Sequence, residues 1–139
     1  MDLEKAKVVT NKPLRHVHEN DAGFDIESIE DVIVSAKDFT SKIHTGVHVD
    51  IPAGYFGLVK ERSGMASKGI FVMGGVIDSG YHGEIMVNLA NMSGKDYKIR
   101  TGDRIAQLII IPCSAYMQQG NPEKISSERG ANGFGSSGR

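Results

Sequence analysis

Three observations predict an all-β chain. Ile43, Thr45, Val47, Val49 and Ile51 recur at every second position, seventeen glycines lie among short apolar runs, and no amphipathic helical stretch exceeds about two turns. Short strands separated by glycine-rich turns suit a sandwich or jelly roll.

Taken in order, Val32, Ile33 and Val34 make a short β-branched run. Residues 43–51 then place Ile and Val on one face and Lys42, His44, His48 and Asp50 on the other. Ile51-Pro52-Ala53-Gly54 stops that strand, with Pro second and Gly fourth in a type I turn, and residues 55–59 resume it. Further strands are expected at 71–73, 84–90 and 105–111. Within the last, Leu108 to Ile111 is continuously apolar, which predicts cover on both faces by a second sheet or another subunit. Turn residues cluster at 19–21, 91–95 and 101–103. The expected organisation is one β domain over 1–125 and a flexible arm over 126–139, whose Gly and Ser content gives it no core of its own.

Composition removes several classes of function. At 139 residues the chain makes one domain, small enough to gain from oligomerising. A net charge of −1 offers no field for a nucleic-acid backbone. The single Cys113 forms no disulfide framework within the chain and fits a reducing compartment. The first 20 residues mix Asp2, Glu4, Lys5, Lys7, Lys12 and Arg15, unlike a signal peptide, and no apolar run approaches the roughly 18 residues that span a bilayer. A soluble, intracellular protein with no membrane partner is the expectation.

Five segments carry possible chemistry, and each has a plainer reading beside it. Residues 75–84 set the Asp78 carboxylate and the Tyr81 phenol three positions apart in a strand-turn-strand context, a recognition site with a possible base. Residues 61–69 gather Arg62, Ser63 and Gly64 after a strand, able to wrap a phosphate but equally an ordinary exposed turn. Residues 21–26 read either as an Asx-stabilised turn or as a carboxylate aimed at a hydrated cation. Residues 102–108 read as a turn entering the apolar strand, where Gln107 needs a partner and a backbone hydrogen bond would suffice. In the arm, Arg129 and Phe134 stand in Gly and Ser, either a disordered tail or a lid whose ring stacks on a base.

Two tempting motifs are set aside. Gly133 to Gly138 spells G-x-G-x-x-G, yet no strand delivers it and no helix receives a pyrophosphate. His44 and His48 lie four apart on a predicted strand, a span of roughly 13 Å that one ion cannot bridge, and His16 and His18 add no ligand set.

In this order, segments 21–26, 62–69, 75–84, 102–108 and 129–138 resemble the five motifs of the trimeric dUTP pyrophosphatases, from about residue 8 to the C-terminus. Runs 74–78, 106–110 and 127–130 look closest to the retroviral branch, which would add the virion to a cytoplasmic or nuclear location. The resemblance implies a distorted jelly-roll, β-clip-like subunit, a homotrimer with shared active sites, and hydrolysis of dUTP to dUMP and pyrophosphate with Mg²⁺, supplying dUMP for thymidylate synthesis. It implies that Asp78 is the general base for water attacking the α-phosphorus and that Tyr81 stacks on the deoxyribose. Backbone near Gly75, Val76, Ile77 and Met86 would read uracil. Arg62, Ser63, Gly64 and Gln107 would hold phosphates, and Asp25 would meet Mg²⁺ through water. Phe134 would cover the base, with Arg129, Gly135, Ser136 and Ser137 on the substrate. His82 stands where many relatives carry Arg, and Asn132 where many carry Gly. A dCTP deaminase of the same fold and a nucleotide-gated regulatory protein are the alternatives.

Overall fold

A computed structural model describes residues 7–114, 117, 119–121 and 123. Eleven strands and one helical turn follow in order: β1 (Val9–Thr10), β2 (Gly23–Glu27), β3 (Val32–Val34), β4 (Phe39–Val47), β5 (Val49–Asp50), β6 (Tyr55–Lys60), α1 (Ser63–Ala66), β7 (Ile70–Val72), β8 (Val76–Ile77), β9 (Ile85–Asn91), β10 (Tyr97–Ile99) and β11 (Arg104–Pro112). The fold is all-β and jelly-roll-like, and every strand pairing is antiparallel.

Two larger sheets, ordered β2-β11-β6-β8 and β4-β9-β7, and two small ribbons, β10-β3 and β1-β5, share one core. Ile26, Val59, Ile77 and Leu108 enter it from the first sheet, and Ile43, Val47, Ile70, Ile85, Val87 and Leu89 from the second. The alternation across 43–51 holds residue by residue: Ile43, Thr45, Val47, Val49 and Ile51 are all buried. The segment is nevertheless two strands, because β4 pairs with β9 while β5 leaves to pair with β1. Thr45, the buried polar member, gives its hydroxyl to the Ile85 carbonyl, so its burial leaves no orphan donor.

The structure corrects several local expectations. The turn after β5 runs one residue later than expected: Tyr55 N–H donates to the Pro52 carbonyl at 3.2 Å, and Gly54 takes the third place with φ +88°. Of residues 21–26, read as a turn or a cation loop, those from Gly23 onward belong to β2, while a turn closes at 18–21 through Asp21 N–H to the His18 carbonyl at 3.1 Å. A helical turn, α1, fills part of the expected 61–69 loop. β11 runs between β2 and β6, yet only Leu108 of its apolar run is fully buried; Ile109, Ile110 and Ile111 are half-covered. The 125/126 boundary and Arg129, Phe134, Gly135, Ser136 and Ser137 lie outside the described residues.

Candidate active site

The entry to β8, from the loop that follows β7, is built around a close backbone approach. At Gly75 φ is +104°, and a Cβ there would lie 2.5 Å from the Val59 carbonyl oxygen, so glycine alone lets the chain run against β6. The Gly75 carbonyl accepts from Val59 N–H at 2.8 Å. β8 is thereby seated on β6, with Ile77 opposite Gly57, and the exposed Asp78 leaves at its end. Tyr81 N–H donates to the Asp78 carbonyl at 3.0 Å, which closes a turn between them. The Tyr81 ring then folds back across Gly83, where a Cβ would meet the phenol oxygen at 2.6 Å, and its hydroxyl donates to the Glu84 carbonyl at 2.6 Å. Val76, Ile77, Asp78, Tyr81 and Met86 line one cleft of about 400 Å³, together with Ser41, Lys42, Glu84, Ile85 and Asn88.

The opposite wall of that cleft is irregular because β4 carries two register shifts against β9, between Thr40 and Ile43 and between His44 and Val47. Side chains across the sheet accept the amides the shifts release. Asn88 Oδ1 takes Lys42 N–H at 2.8 Å, where Lys42 has φ +58°. Glu84 Oε2 takes Thr45 N–H at 3.1 Å and Gly46 N–H at 2.8 Å, while its Oε1 lies 2.8 Å from His44 Nδ1. The contact with Glu84 raises the His44 pKa, and that of Glu84 is lowered first by the hydrogen bond to His44 and then by the Gly46 amide.

A second cleft gathers donors. β2, β11 and β6 run side by side, which puts Asp25 opposite Gln107 and Gln107 opposite Lys60. Asp25, Arg62, Ser63, Gly64 and Gln107 line this cleft with Val17, Asp21, Ala22 and Gly23. Arg62 Nε lies 3.4 Å from Asp25 Oδ1 and Arg104 Nη1 3.3 Å from Oδ2, so the largely buried carboxylate is clasped from two sides. Gln107 does make the backbone bond expected of it, from Nε2 to the Glu61 carbonyl at 3.1 Å. Its amide also lies over Gly23, where a Cβ would come within 2.1 Å of Oε1. Ser63 and Gly64 open α1, and the first N–H groups of a helical turn have no partner within it. Glu61 ties the loop down by accepting Val72 N–H at 3.1 Å; burial opposes its ionisation, but that bond and Lys60 outweigh it and lower its pKa.

The histidines serve other partners. His16 Nδ1 faces the Gly23 carbonyl at 3.1 Å and its ring stacks near Phe24, His48 Nδ1 faces the His82 carbonyl at 3.0 Å, and His82 Nε2 pairs with Asp50 at 3.1 Å.

The candidate residues thus divide into two groups, a carboxylate and phenol in one cleft and phosphate-type donors in the other, with no lining residue in common. A more apolar hollow, lined by Val8, Leu14, Phe24, Tyr55, Leu108 and Ile110 among others, holds none of them. Lys42, Asn88 and the Glu84 carboxylate were not singled out from sequence. For Asn88 the usable signal was a polar side chain between the alternating apolar Val87 and Leu89 of β9, and for Glu84 a carboxylate immediately before that strand.

A family model, dUTPase, matches residues 11–138. The chain belongs to the dUTPase family. Among its relatives is the deoxyuridine 5'-triphosphate nucleotidohydrolase of Paramecium bursaria Chlorella virus 1, 44% identical over 125 residues that cover 86% of this chain and 85% of that one. The Pol polyprotein of equine infectious anemia virus (strain Wyoming) is 38% identical over 125 residues, 90% of this chain but 11% of the polyprotein, which bears out the retroviral likeness. Among solved structures, the dUTPase of Staphylococcus bacteriophage 80alpha with dUpNHpp superimposes with a TM-score of 0.84 at 32% identity, covering 96% of this chain and 99% of that one. The native dUTPase of equine infectious anemia virus gives 0.77 at 31% identity, over 86% and 100%.

Proposed function

We propose that the protein hydrolyses dUTP to dUMP and pyrophosphate. The observation that carries this reading is the Asp78–Tyr81 turn beside a glycine-shaped main-chain edge, in a chain of the dUTPase family. Relatives that bear the nucleotidohydrolase name and the phage structure with dUpNHpp support the same substrate.

Asp78 takes the proton of a water as its oxygen bonds to the α-phosphorus and the bond to the bridging α,β-oxygen breaks, so pyrophosphate leaves. Tyr81 presents its ring to the deoxyribose, and the backbone at Gly75, Val76, Ile77 and Met86 reads the uracil. A base with a donor where uracil has an acceptor leaves buried groups unpaired, which discriminates strongly. Arg62, Ser63, Gly64 and Gln107 offer cationic, hydroxyl and N–H donors to the phosphates. That the two clefts share no lining residue supports a homotrimer in which one chain's Asp78 works with another chain's Arg62. Arg129, Phe134, Gly135, Ser136 and Ser137, in an arm over 126–139, would close over base and phosphates.

The donor set also fits magnesium in one way only. The described residues hold no group of three or more His, Cys, Asp or Glu able to cage an ion, whereas the donor cleft is lined by two carboxylates, Asp21 and Asp25, beside the phosphate donors. That suits a hydrated Mg²⁺ carried by the substrate's phosphates and met by Asp25 through water. Such an ion neutralises charge on the phosphates when bound. A mutant dUTPase from phage phi11 of S. aureus, 28% identical with a TM-score of 0.77, coordinates a structural Mg(II) ion, which supports magnesium as the metal but not this particular place for it.

An assay of dUTP, dCTP, UTP and dTTP, each with and without magnesium, tests the reading. Pyrophosphate from dUTP alone, with magnesium, is the expected result. Ammonia from a cytosine nucleotide, or no product from dUTP, would overturn it.

A further inference from the structure

Glu84 binds in two directions at once. Its carboxylate receives two consecutive amides, Thr45 N–H and Gly46 N–H, at 3.1 and 2.8 Å, at the point where β4 loses register with β9. Gly46 there has φ +66°, a turn that removes both amides from the strand ladder. A carboxylate, with two oxygens and no proton, satisfies both and still offers Oε1 to His44 at 2.8 Å. Meanwhile the Glu84 main-chain carbonyl holds the Tyr81 hydroxyl at 2.6 Å. A continuous hydrogen-bonded path therefore runs from the β4 bulge, through Glu84, to the ring in the nucleotide cleft.

We propose that Glu84 is a positioning residue that fixes the Tyr81 ring and so sets the discrimination between deoxyribose and ribose. The inference rests on the reading of Tyr81 as the surface facing the sugar. Tyr81 is 40% exposed, and beyond the backing of its ring on Gly83 the hydroxyl bond is the ring's anchor. That anchor is only as rigid as the Glu84 backbone, which the carboxylate pins to β4. Excluding a 2'-OH depends on sub-ångström placement of the ring, so a loosened Glu84 should admit ribose before it unfolds anything. Neutral replacements of similar size separate these effects. Glutamine keeps one oxygen for the two amides but removes the charge that strengthens both bonds, and it turns an NH₂ toward His44 where Oε1 stood.

The test uses the full chain. Glu84→Gln should lower the ratio of kcat/KM for dUTP over UTP about tenfold, the scale on which hydrogen bonds weaken when their acceptor loses its charge. The change should lie mainly in a rise of kcat/KM for UTP, with kcat/KM for dUTP little altered. Tyr81→Phe, which removes the hydroxyl, should lower the ratio similarly, and adding it to Glu84→Gln should lower it no further. A cavity variant in the core, Val87→Ala, controls for stability and should leave the ratio unchanged. His44→Gln keeps both amide bonds and removes only the Oε1 partner; it should shift the ratio in the same direction, by less, and it decides the matter if Glu84→Gln does not fold. An unchanged ratio in Glu84→Gln, or in His44→Gln should the former be insoluble, overturns the proposal while leaving Tyr81 in place. If Tyr81→Ala also leaves the ratio unchanged, the reading of Tyr81 falls with it.

Discussion

Asp78 is exposed at the end of β8 and, among the described residues, accepts a hydrogen bond through its main chain only, which leaves both carboxylate oxygens for water. Asp78→Asn retains size and one acceptor but loses the base. It is expected to bind dUpNHpp as the parent does and to lose roughly 10²- to 10⁴-fold in kcat, the usual worth of a general base. Steady-state rates beside calorimetric titration of the analogue check this; turnover near that of the parent would remove Asp78 from the mechanism. The His44–Glu84 pair makes a different prediction. His44 has its pKa raised above 6.5 by Glu84, so its share of stability is complete below that value and is lost as pH climbs through the raised pKa. Glu84 has its pKa lowered below 4.5, chiefly by His44, so its share is complete above that value and is lost as pH falls through the lowered one. The pair therefore contributes most between pH 4.5 and 6.5. Melting curves should show the Tm gap between the parent and His44→Gln shrinking as pH rises past 6.5, and an even gap across that range would deny the coupling.

Strands β4, β8 and β9 convert these contacts into a cleft, and glycine geometry limits how. Gly75→Ala would force an L side chain to φ +104° with its Cβ 2.5 Å from the Val59 carbonyl. A residue held in so sparse a conformation costs of order 1–3 kcal/mol, which denaturant unfolding should register. Because Asp78 leaves β8 three residues later, activity should fall further than stability accounts for; a variant as stable and active as the parent would show that the approach to β6 is dispensable. How much of this could be read from residues alone follows the range of the interactions. The buried face of 43–51 was legible because a two-residue period is local. The bulges of β4 were not, since they depend on Glu84 and Asn88, roughly 40 positions away along the chain, accepting amides that a regular ladder would have used. β2 was read as a turn because Asp21, Ala22 and Gly23 carry turn chemistry, and only pairing with β11 makes a strand of Gly23 onward. The motif residues were legible by type and spacing. Their separation into two clefts was not, because chain order does not encode which faces of a sandwich two loops open upon.

The assembly follows from what a single chain leaves undone. One chain holds Asp78 and Tyr81 in one cleft and Arg62 and Gln107 in another, and β11 presents Ile109, Ile110 and Ile111 only half-covered. Both facts are resolved if copies pack so that one chain's first cleft meets a neighbour's second. Two variants test this together. Asp78→Asn spoils the first cleft and leaves the second whole, whereas Arg62→Ala does the reverse, and each alone should be nearly inactive. Refolded as an equal mixture, a site made across a boundary needs an intact first cleft from an Arg62→Ala chain beside an intact second cleft from an Asp78→Asn chain. About a quarter of the sites in a randomly mixed cyclic trimer meet that condition. Activity near that fraction of the parent is the expected result, with light scattering establishing the trimer and a mass label establishing exchange of chains. A site completed within one chain could not be repaired by any neighbour, because every chain in the mixture carries one defect. Verified mixed trimers without recovered activity would therefore place both clefts' residues in a single-chain site and end the shared-site model for this protein.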